Sequence, residues 1–266
     1  MNSKYLTLVI ILLIVIILVL LYTGCNIYSK KENMSNKENI DDTVLVVSHY
    51  NEDLSYLNTQ PFSNYKQVIY TKGINEPKCS QCAEFIKLEN VGVCIHTYLK
   101  YIIDNYDNLP KIVIFLAGSC MDEHKKDKTL KTIQKVNETC DSVFMVTTYK
   151  EPVAKSLYDF VLNFYPVANE KNRKLNTDMT MSKAEIRPFG KWYETHFPNI
   201  DIYAVNYQTI FAVSREHIKN RSKESYQKLI KLVDKHKNEE SAHYFERAML
   251  AIFHPIPKDC IYPYPY

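Results

Sequence analysis

The sequence predicts an α/β domain, a mostly parallel central sheet flanked by helices, preceded by a single N-terminal transmembrane helix. Three observations predict it. Short apolar, β-branched runs without polar interruption recur along the chain, as strands buried on both faces require. Stretches with apolar residues at helical spacing separate them, and alternation of the two favours parallel pairing. The N-terminus carries one long apolar run of a different kind, from Leu6 to Leu21, broken only by Thr7.

That run, bracketed by Tyr5 and Tyr22, is about 27 Å long as a helix at 1.5 Å per residue, close to the hydrocarbon thickness of a bilayer. The two tyrosines fall where an interfacial aromatic belt sits. A cleaved signal would have a shorter apolar core and a small-x-small site, and Tyr22-Thr23-Gly24-Cys25 supplies none. The expectation is a short tail at 1–4, an uncleaved anchor at 5–22 in the lipid bilayer, and a polar stem at 23–42. Lys30, Lys31 and Lys37 follow the anchor and favour a cytosolic C-terminal side by the positive-inside rule. Three sequons, at Asn33, Asn137 and Asn220, favour the opposite. The adopted expectation is a single-pass protein with its domain luminal or extracellular.

The domain itself is expected at 43–254. Thr43–Val47 reads as the first strand and Gln67–Tyr70 as the second, ended by the turn signal Lys72-Gly73. Cys94–Tyr106 has helical periodicity (Ile95, Tyr98, Leu99, Ile102, Ile103) and stops at Asn108-Leu109-Pro110. Lys111–Ala117, closed by Gly118, is the clearest buried strand. A polar helix near Lys128–Asn137 and a fourth strand at Ser142–Val146 follow. Pro152–Tyr165 reads as helix, Val167–Lys183 as a long polar loop, and Ile200–Val213 as one or two strands. Two helices, Lys223–Lys235 and Glu240–Phe253, close the domain. The tail 255–266, with Pro255, Pro257, Pro263 and Pro265, is expected to lack regular structure.

Composition excludes several functions. The net charge of +3 provides no electrostatic footprint for nucleic acid, so no such partner is expected. Only 5 glycines, with no GxGxxG and no GxxxxGK[ST], argue against a Rossmann fingerprint and a P-loop.

In parallel sheets ligands bind at the carboxyl ends of the strands, so the residues after each strand are the candidates. These are Ser48-His49-Tyr50-Asn51-Glu52-Asp53, then Lys72-Gly73, then Gly118 to His124. Asp122, Glu123 and His124, with His49, could coordinate a divalent cation, since hard carboxylates suit magnesium or manganese, and ordinary solvated loop polarity is the alternative for each. On the last helix His243 and Glu246, at i and i+3, share a face. Glu246 is either a general base with His243 beside it, or a structural partner of Arg247, Arg215 or a backbone amide. Arg215 is either a fork for a phosphate or a solvated first-turn residue after an N-capping Ser214. Cys79-Ser80-Gln81-Cys82 with Cys94 and His96 reads as disulfide or free thiol ahead of zinc, because Cys94-x-His96 is too tight for the usual spacing.

His49–Leu57, Val68–Gly73, Glu89–Gly92, His96–Pro110, the strand ending Phe115-Leu116-Ala117-Gly118, Ile210–Ile218 and Tyr244–Arg247 with Ile252-Phe253 occur in one order. Together they resemble the family called domain of unknown function 3431, which supplies no activity. A more distant likeness is to nucleotide-sugar glycosyltransferases of the GT-A type, which open with a strand and a Tyr-Asn-Glu-like turn and place acidic metal ligands after a central strand. That resemblance implies a nucleotide-sugar donor and an acceptor hydroxyl. His49 and Asn51 would flank the nucleotide, Lys72 and Arg215 would join the cofactor site, and Asp122, Glu123 and His124 would hold a manganese or magnesium ion and the diphosphate. Glu246 and His243 would act on the acceptor. The sequence departs from the pattern at one place: no Asp-x-Asp follows Phe115-Leu116. The competing expectation is a non-catalytic, membrane-anchored binding domain of the same fold.

Overall fold

The computed structural model describes residues 17, 42–74, 84–148, 157–164 and 180–265. The expected anchor (Ile17 apart) and stem, the Cys79-x-x-Cys82 pair, residues 152–156 and 165 of the helix expected at Pro152–Tyr165 and most of the loop at Val167–Lys183 lie outside these residues; of that expected helix only Leu157 and Tyr158 are helical, and 159–164 are turn and irregular backbone. No helix among the described residues is long and apolar enough to cross a membrane. Asp42–Tyr266 forms one compact unit.

Its centre is a five-stranded sheet in the order β3-β2-β1-β4-β7. The first three strands are β1 (Thr43–His49), β2 (Lys66–Thr71) and β3 (Glu84–Lys87). Strands β4 (Ile112–Ala117) and β7 (Phe211–Ser214) complete it. Pairings β1–β2, β1–β4 and β2–β3 are parallel, while β7 runs antiparallel to β4 with Phe115 opposite Phe211 and Ile112 opposite Ser214. The mostly parallel sheet stands as expected. β1 and β4 are buried at every position, which is why their sequences carry no alternation.

The strand expected at Ser142–Val146 is β5 (Phe144–Thr148), and it belongs to a second sheet of order β6-β5-β8, with β6 at Ala204–Val205 and β8 at Ile261–Pro263. β8 corrects the expectation that the tail lacks regular structure. It pairs in parallel with β5, Phe144 opposite Ile261 and Val146 opposite Pro263. Prolines are tolerated there because β8 is an edge strand and its outer N–H positions have no partner to lose.

The helices are α1 (Val93–Asn105), α2 (Glu123–Thr139), α3 (Phe189–His196), α4 (Arg215–Lys219), α5 (Lys223–Ile230), α6 (Glu240–Arg247) and α7 (Met249–Ile252). The single helix expected at Glu240–Phe253 is thus two, parted at Ala248, whose φ of −95° and ψ of 9° leave the helical region. α1 turns Ile95, Tyr98, Leu99, Tyr101 and Ile102 inward and packs against β1, α5 and α6. It starts at Gly92, which has a φ of +58° and whose added Cβ would lie 1.9 Å from the Val233 carbonyl oxygen, so both backbone and space require glycine. An aromatic cluster joins α1 to β4, β7 and β5, whose preceding residue Val143 bridges Ala212 of β7: Phe115 lies 4.7 Å from Tyr98 and 5.1 Å from Phe211, which stacks on Phe144. Each such fully buried ring contributes roughly 1.5–3 kcal/mol of apolar burial.

Several side chains fix the loops. Glu240, fully buried, accepts from the Leu162 and Ala184 amides and the Tyr244 hydroxyl and pairs with Arg187 at 2.8 Å. Burial alone would raise its pKa, yet these donors hold it below the usual carboxylate value. At the sequon Asn220 the side-chain nitrogen donates to the Phe253 and Pro255 carbonyls, and at Asn137 the side-chain oxygen accepts from the Tyr65 hydroxyl.

Candidate functional site

The strand order reverses direction between β1 and β4. The chain goes from β1 outward through β2 and β3, then returns to the other side of β1 as β4. At such a reversal ligands of open α/β sheets bind in the crevice outside the carboxyl edge; here the two loops touch at that edge, the Gly118 amide donating to the Ser48 carbonyl at 2.7 Å. The loop after β1 (Tyr50–Leu54) and the turn after β4 (Gly118–Asp122) border it.

Two glycines let the first loop close down. A Cβ on Gly73 would lie 1.3 Å from the Tyr50 carbonyl oxygen and 2.5 Å from Asn51 Oδ1; one on Gly118 would lie 2.6 Å from Glu52 Oε2. Glu52, part of the expected cluster but not singled out within it, is the organising residue. Its Oε2 accepts from the Tyr50 amide at 2.7 Å and the Asn51 amide at 3.2 Å while lying over Gly118. Tyr56 donates from its hydroxyl to the Gly118 carbonyl and receives the Cys120 thiol. Burial raises both groups, the Cys120 thiol to about 12, so neither ionises near neutrality.

A continuous path of contacts leads from the crevice to the last helices. Lys125 donates from Nζ to Ser119 Oγ at 2.7 Å. The His124 carbonyl accepts from Gln208 Nε2 at 2.9 Å, and the Gln208 amide donates to Glu246 Oε1 at 2.6 Å. Gln208 and Thr209 have φ of 72° and 54°. Left-handed backbone at non-glycine residues costs about 1–3 kcal/mol each and persists only where surroundings over-determine it. Here they do: Glu246 and the His124 carbonyl hold Gln208, and the Tyr98 hydroxyl donates to the Thr209 carbonyl. Beside this turn Lys128, 2% exposed, donates to the Tyr207 carbonyl, with Asn206 Oδ1 at 3.5 Å. Burial pulls its pKa down to about 7, against the attraction of Glu246. Asn51 Oδ1, Gln208 Oε1 and Arg247 Nε are buried with no hydrogen-bond partner among the described residues.

His49 is buried, with Nδ1 on Thr71 Oγ1 at 2.9 Å and Nε2 on the Glu52 carbonyl at 3.2 Å; burial lowers its pKa. Both ring nitrogens are spent inside the protein, so its part in the geometry is to fix the loop. Lys72 is also buried. It holds the Val91 and Val93 carbonyls, and burial lowers it to about 8. Asn51 borders the crevice. His243 and Glu246 lie on one face of α6 as expected, and burial lowers His243 while Glu246 opposes. The structural alternative for Glu246 is realised in part by a backbone amide, that of Gln208, and by Arg247 at 3.7 Å.

Asp122 is the N-cap residue of α2, with Glu123 and His124 in its first turn. Consecutive helical residues point about 100° apart, and the three side chains do not bring ligand atoms together. Among the described residues only Asp141, His217 and Cys260 do so. The geometry therefore does not fit a divalent ion held by Asp122, Glu123 and His124. Arg215 lies elsewhere altogether. Because β7 is antiparallel, its end meets the beginning of β4, so Arg215 sits at the amino edge of the parallel strands, paired with Asp42 at 3.0 Å. Ser214 does not cap α4 through its side chain; its hydroxyl bonds His217 instead.

Lys125, Lys128 and Gln208 were not legible as site residues. Lys128 opens the polar helix expected near Lys128–Asn137 and Lys125 precedes it, and nothing in the sequence around Gln208 marks a left-handed turn.

The family described as "Protein of unknown function (DUF3431)" matches residues 44–264. No curated protein matches the chain. Among solved structures, the CMP:2-keto-3-deoxy-manno-octonic acid synthetase complexed with CTP is similar at 13% identity and a TM-score of 0.33, over 79% of this chain and 86% of that one.

Proposed function

This chain belongs to the DUF3431 family of proteins of unknown function, and from that premise we propose that it is a membrane-anchored transferase that moves a sugar from a nucleotide-sugar to an acceptor hydroxyl. The observation that carries the reading is the β1/β4 reversal, with polar groups gathered at its carboxyl edge and joined by contacts to Glu246.

The nucleotide lies against Asn51, whose buried Oδ1 has no partner among the described residues, on the loop that His49 and Glu52 hold in place. The diphosphate sits at the N-terminus of α2, where backbone N–H groups and the Lys125 ammonium offset its charge. In the transfer step the acceptor oxygen bonds to the anomeric carbon, the bond from that carbon to the phosphate oxygen breaks, and the acceptor proton passes to the Glu246 carboxylate. The nucleoside diphosphate leaves with the electron pair. No step is routed through a metal, since Asp122, Glu123 and His124 do not form its donor set.

A second reading has its own support. The Glu52 carboxylate is engaged by two backbone amides, and among the described residues no group of three or more metal-ligating side chains gathers at the carboxyl edge, as in a binding domain of this fold without catalysis. Incubation of the chain with UDP- and GDP-sugars, with and without manganese, separates the two. Donor hydrolysis together with a thermal shift supports the transferase. A shift without turnover supports the binding domain, and neither response overturns both.

A further inference from the structure

We propose that Asp141, His217 and Cys260 form a binding site for zinc or a similar borderline-soft divalent ion, which clamps the C-terminal segment to the body of the domain. Each residue offers one ligand atom, and these atoms lie within 4.8 Å of one another. They come from three separate places: the turn between α2 and β5, the helix α4 after β7, and the turn that leads into β8. His217 follows Ser214, which lies opposite the first residue of β4, so the site is at the amino edge of the parallel strands, away from the carboxyl edge and independent of the proposed transferase.

A thiol, an imidazole and a carboxylate match the N/S/O preference of zinc and not that of magnesium or calcium. Metal–ligand bonds of about 2.0–2.3 Å in a tetrahedron set ligand atoms roughly 3.3–3.8 Å apart. His217 Nδ1 already stands 3.8 Å from Asp141 Oδ1. The three side chains leave the fourth tetrahedral position to solvent. His217 and Cys260 are buried at 7% and 3% exposure, while the Asp141 side chain is 49% exposed and leaves a way in. Ser142 Oγ lies 2.7 Å and Ser214 Oγ 3.0 Å from the same Nδ1, so ion binding displaces both hydroxyls, which already stand 3.2 Å from each other, with Ser142 Oγ also accepting from the Ser214 amide. The same geometry argues against a Ser-His-Asp nucleophile, because the serines and the aspartate approach one ring nitrogen instead of opposite ones. On binding, the S–H bond of Cys260 breaks, sulfur bonds the ion, and the proton goes to solvent. β8 reaches the sheet immediately after Cys260, so the ion fastens an edge strand otherwise held by its pairing with β5 and by Tyr262 and Tyr264 against α2.

The test uses the full chain, stripped with EDTA and titrated with Zn²⁺ and Co²⁺. One ion per chain, a thiolate charge-transfer absorption with Co²⁺ and a raised thermal midpoint with Zn²⁺ are expected. Cys260→Ser removes the absorption, and Asp141→Asn, at a half-exposed position that keeps the fold, weakens binding at least tenfold. A Cys79→Ser/Cys82→Ser chain binds as before. Binding undiminished in Asp141→Asn, an absorption lost in the Cys79/Cys82 variant but kept in Cys260→Ser, or no uptake of either ion overturns the proposal.

Discussion

At the carboxyl edge of the parallel strands, Lys72 and Lys128 are 7% and 2% exposed, their ammonium groups resting on backbone carbonyls. At the amino edge, Arg215 and Asp42 meet with side chains 49% and 51% exposed. Both edges carry charge, but only one takes it out of water. Burying an ammonium group costs several kcal/mol unless its partners compensate, whereas an exposed pair costs and contributes little. The carboxyl edge also holds the left-handed turn at Gln208 and Thr209 and the close approaches at Gly73 and Gly118. Expense of this kind, concentrated on one edge, is what distinguishes a worked site from a polar surface.

The contrast can be broken or sharpened by substitution. The largest effect is expected from Glu246→Gln. If the carboxylate takes the acceptor proton, turnover of a responsive donor falls by about 10²-fold or more while donor binding, read by thermal shift, is retained. A loss of binding with no loss of rate would move Glu246 from the reaction to the scaffold. Next is Gly73→Ala. Its Cβ would meet the Tyr50 carbonyl at 1.3 Å, and the loop after β1 must move, at about 3 kcal/mol or more in urea unfolding. An unchanged midpoint would show that the loop does not close as described.

The third concerns pH. Lys128 has a folded pKa of about 7 against 10.5 when unfolded, because burial penalises its charge. Between those values the unfolded chain binds more protons, so stability rises with pH, by at most about 1.4 kcal/mol per pH unit. Lys128→Met flattens that rise, and Lys72→Met flattens only the part above about 8. Urea midpoints at two pH values inside the window measure both, and equal slopes in all three chains would contradict the burial argument. The smallest effect is expected at the other edge, where Arg215→Ala changes stability by no more than about 0.5 kcal/mol and leaves donor binding untouched. A marked loss of nucleotide-sugar binding in that variant would erase the distinction between the edges.

Much of the fold was readable because burial on both faces leaves an unmistakable signature. Val44–Val47 and Ile112–Ala117 have no polar residue, and the helical spacing from Ile95 to Ile102 marks α1. Strand β3 was missed because Glu84-Phe85-Ile86-Lys87 is short and largely exposed, and β8 because its prolines argue against any strand except an edge. The site was readable only as a set of loops. The residues after β1, β2 and β4 follow from the rule for parallel strands, and all three loops lie at one edge.

What the sequence determined by itself is local: which runs are buried, where turns must fall, and that glycine ends two of the strands. Those properties depend on a residue and its near neighbours. The tertiary structure alone decided the rest. It inverted β7 and so carried Arg215 to the far edge, set Gln208 between His124 and Glu246, and brought Asp141, His217 and Cys260 within bonding reach of one ion. Each of these is a meeting of residues distant along the chain, fixed by strand direction and core packing, to which periodicity and composition are blind.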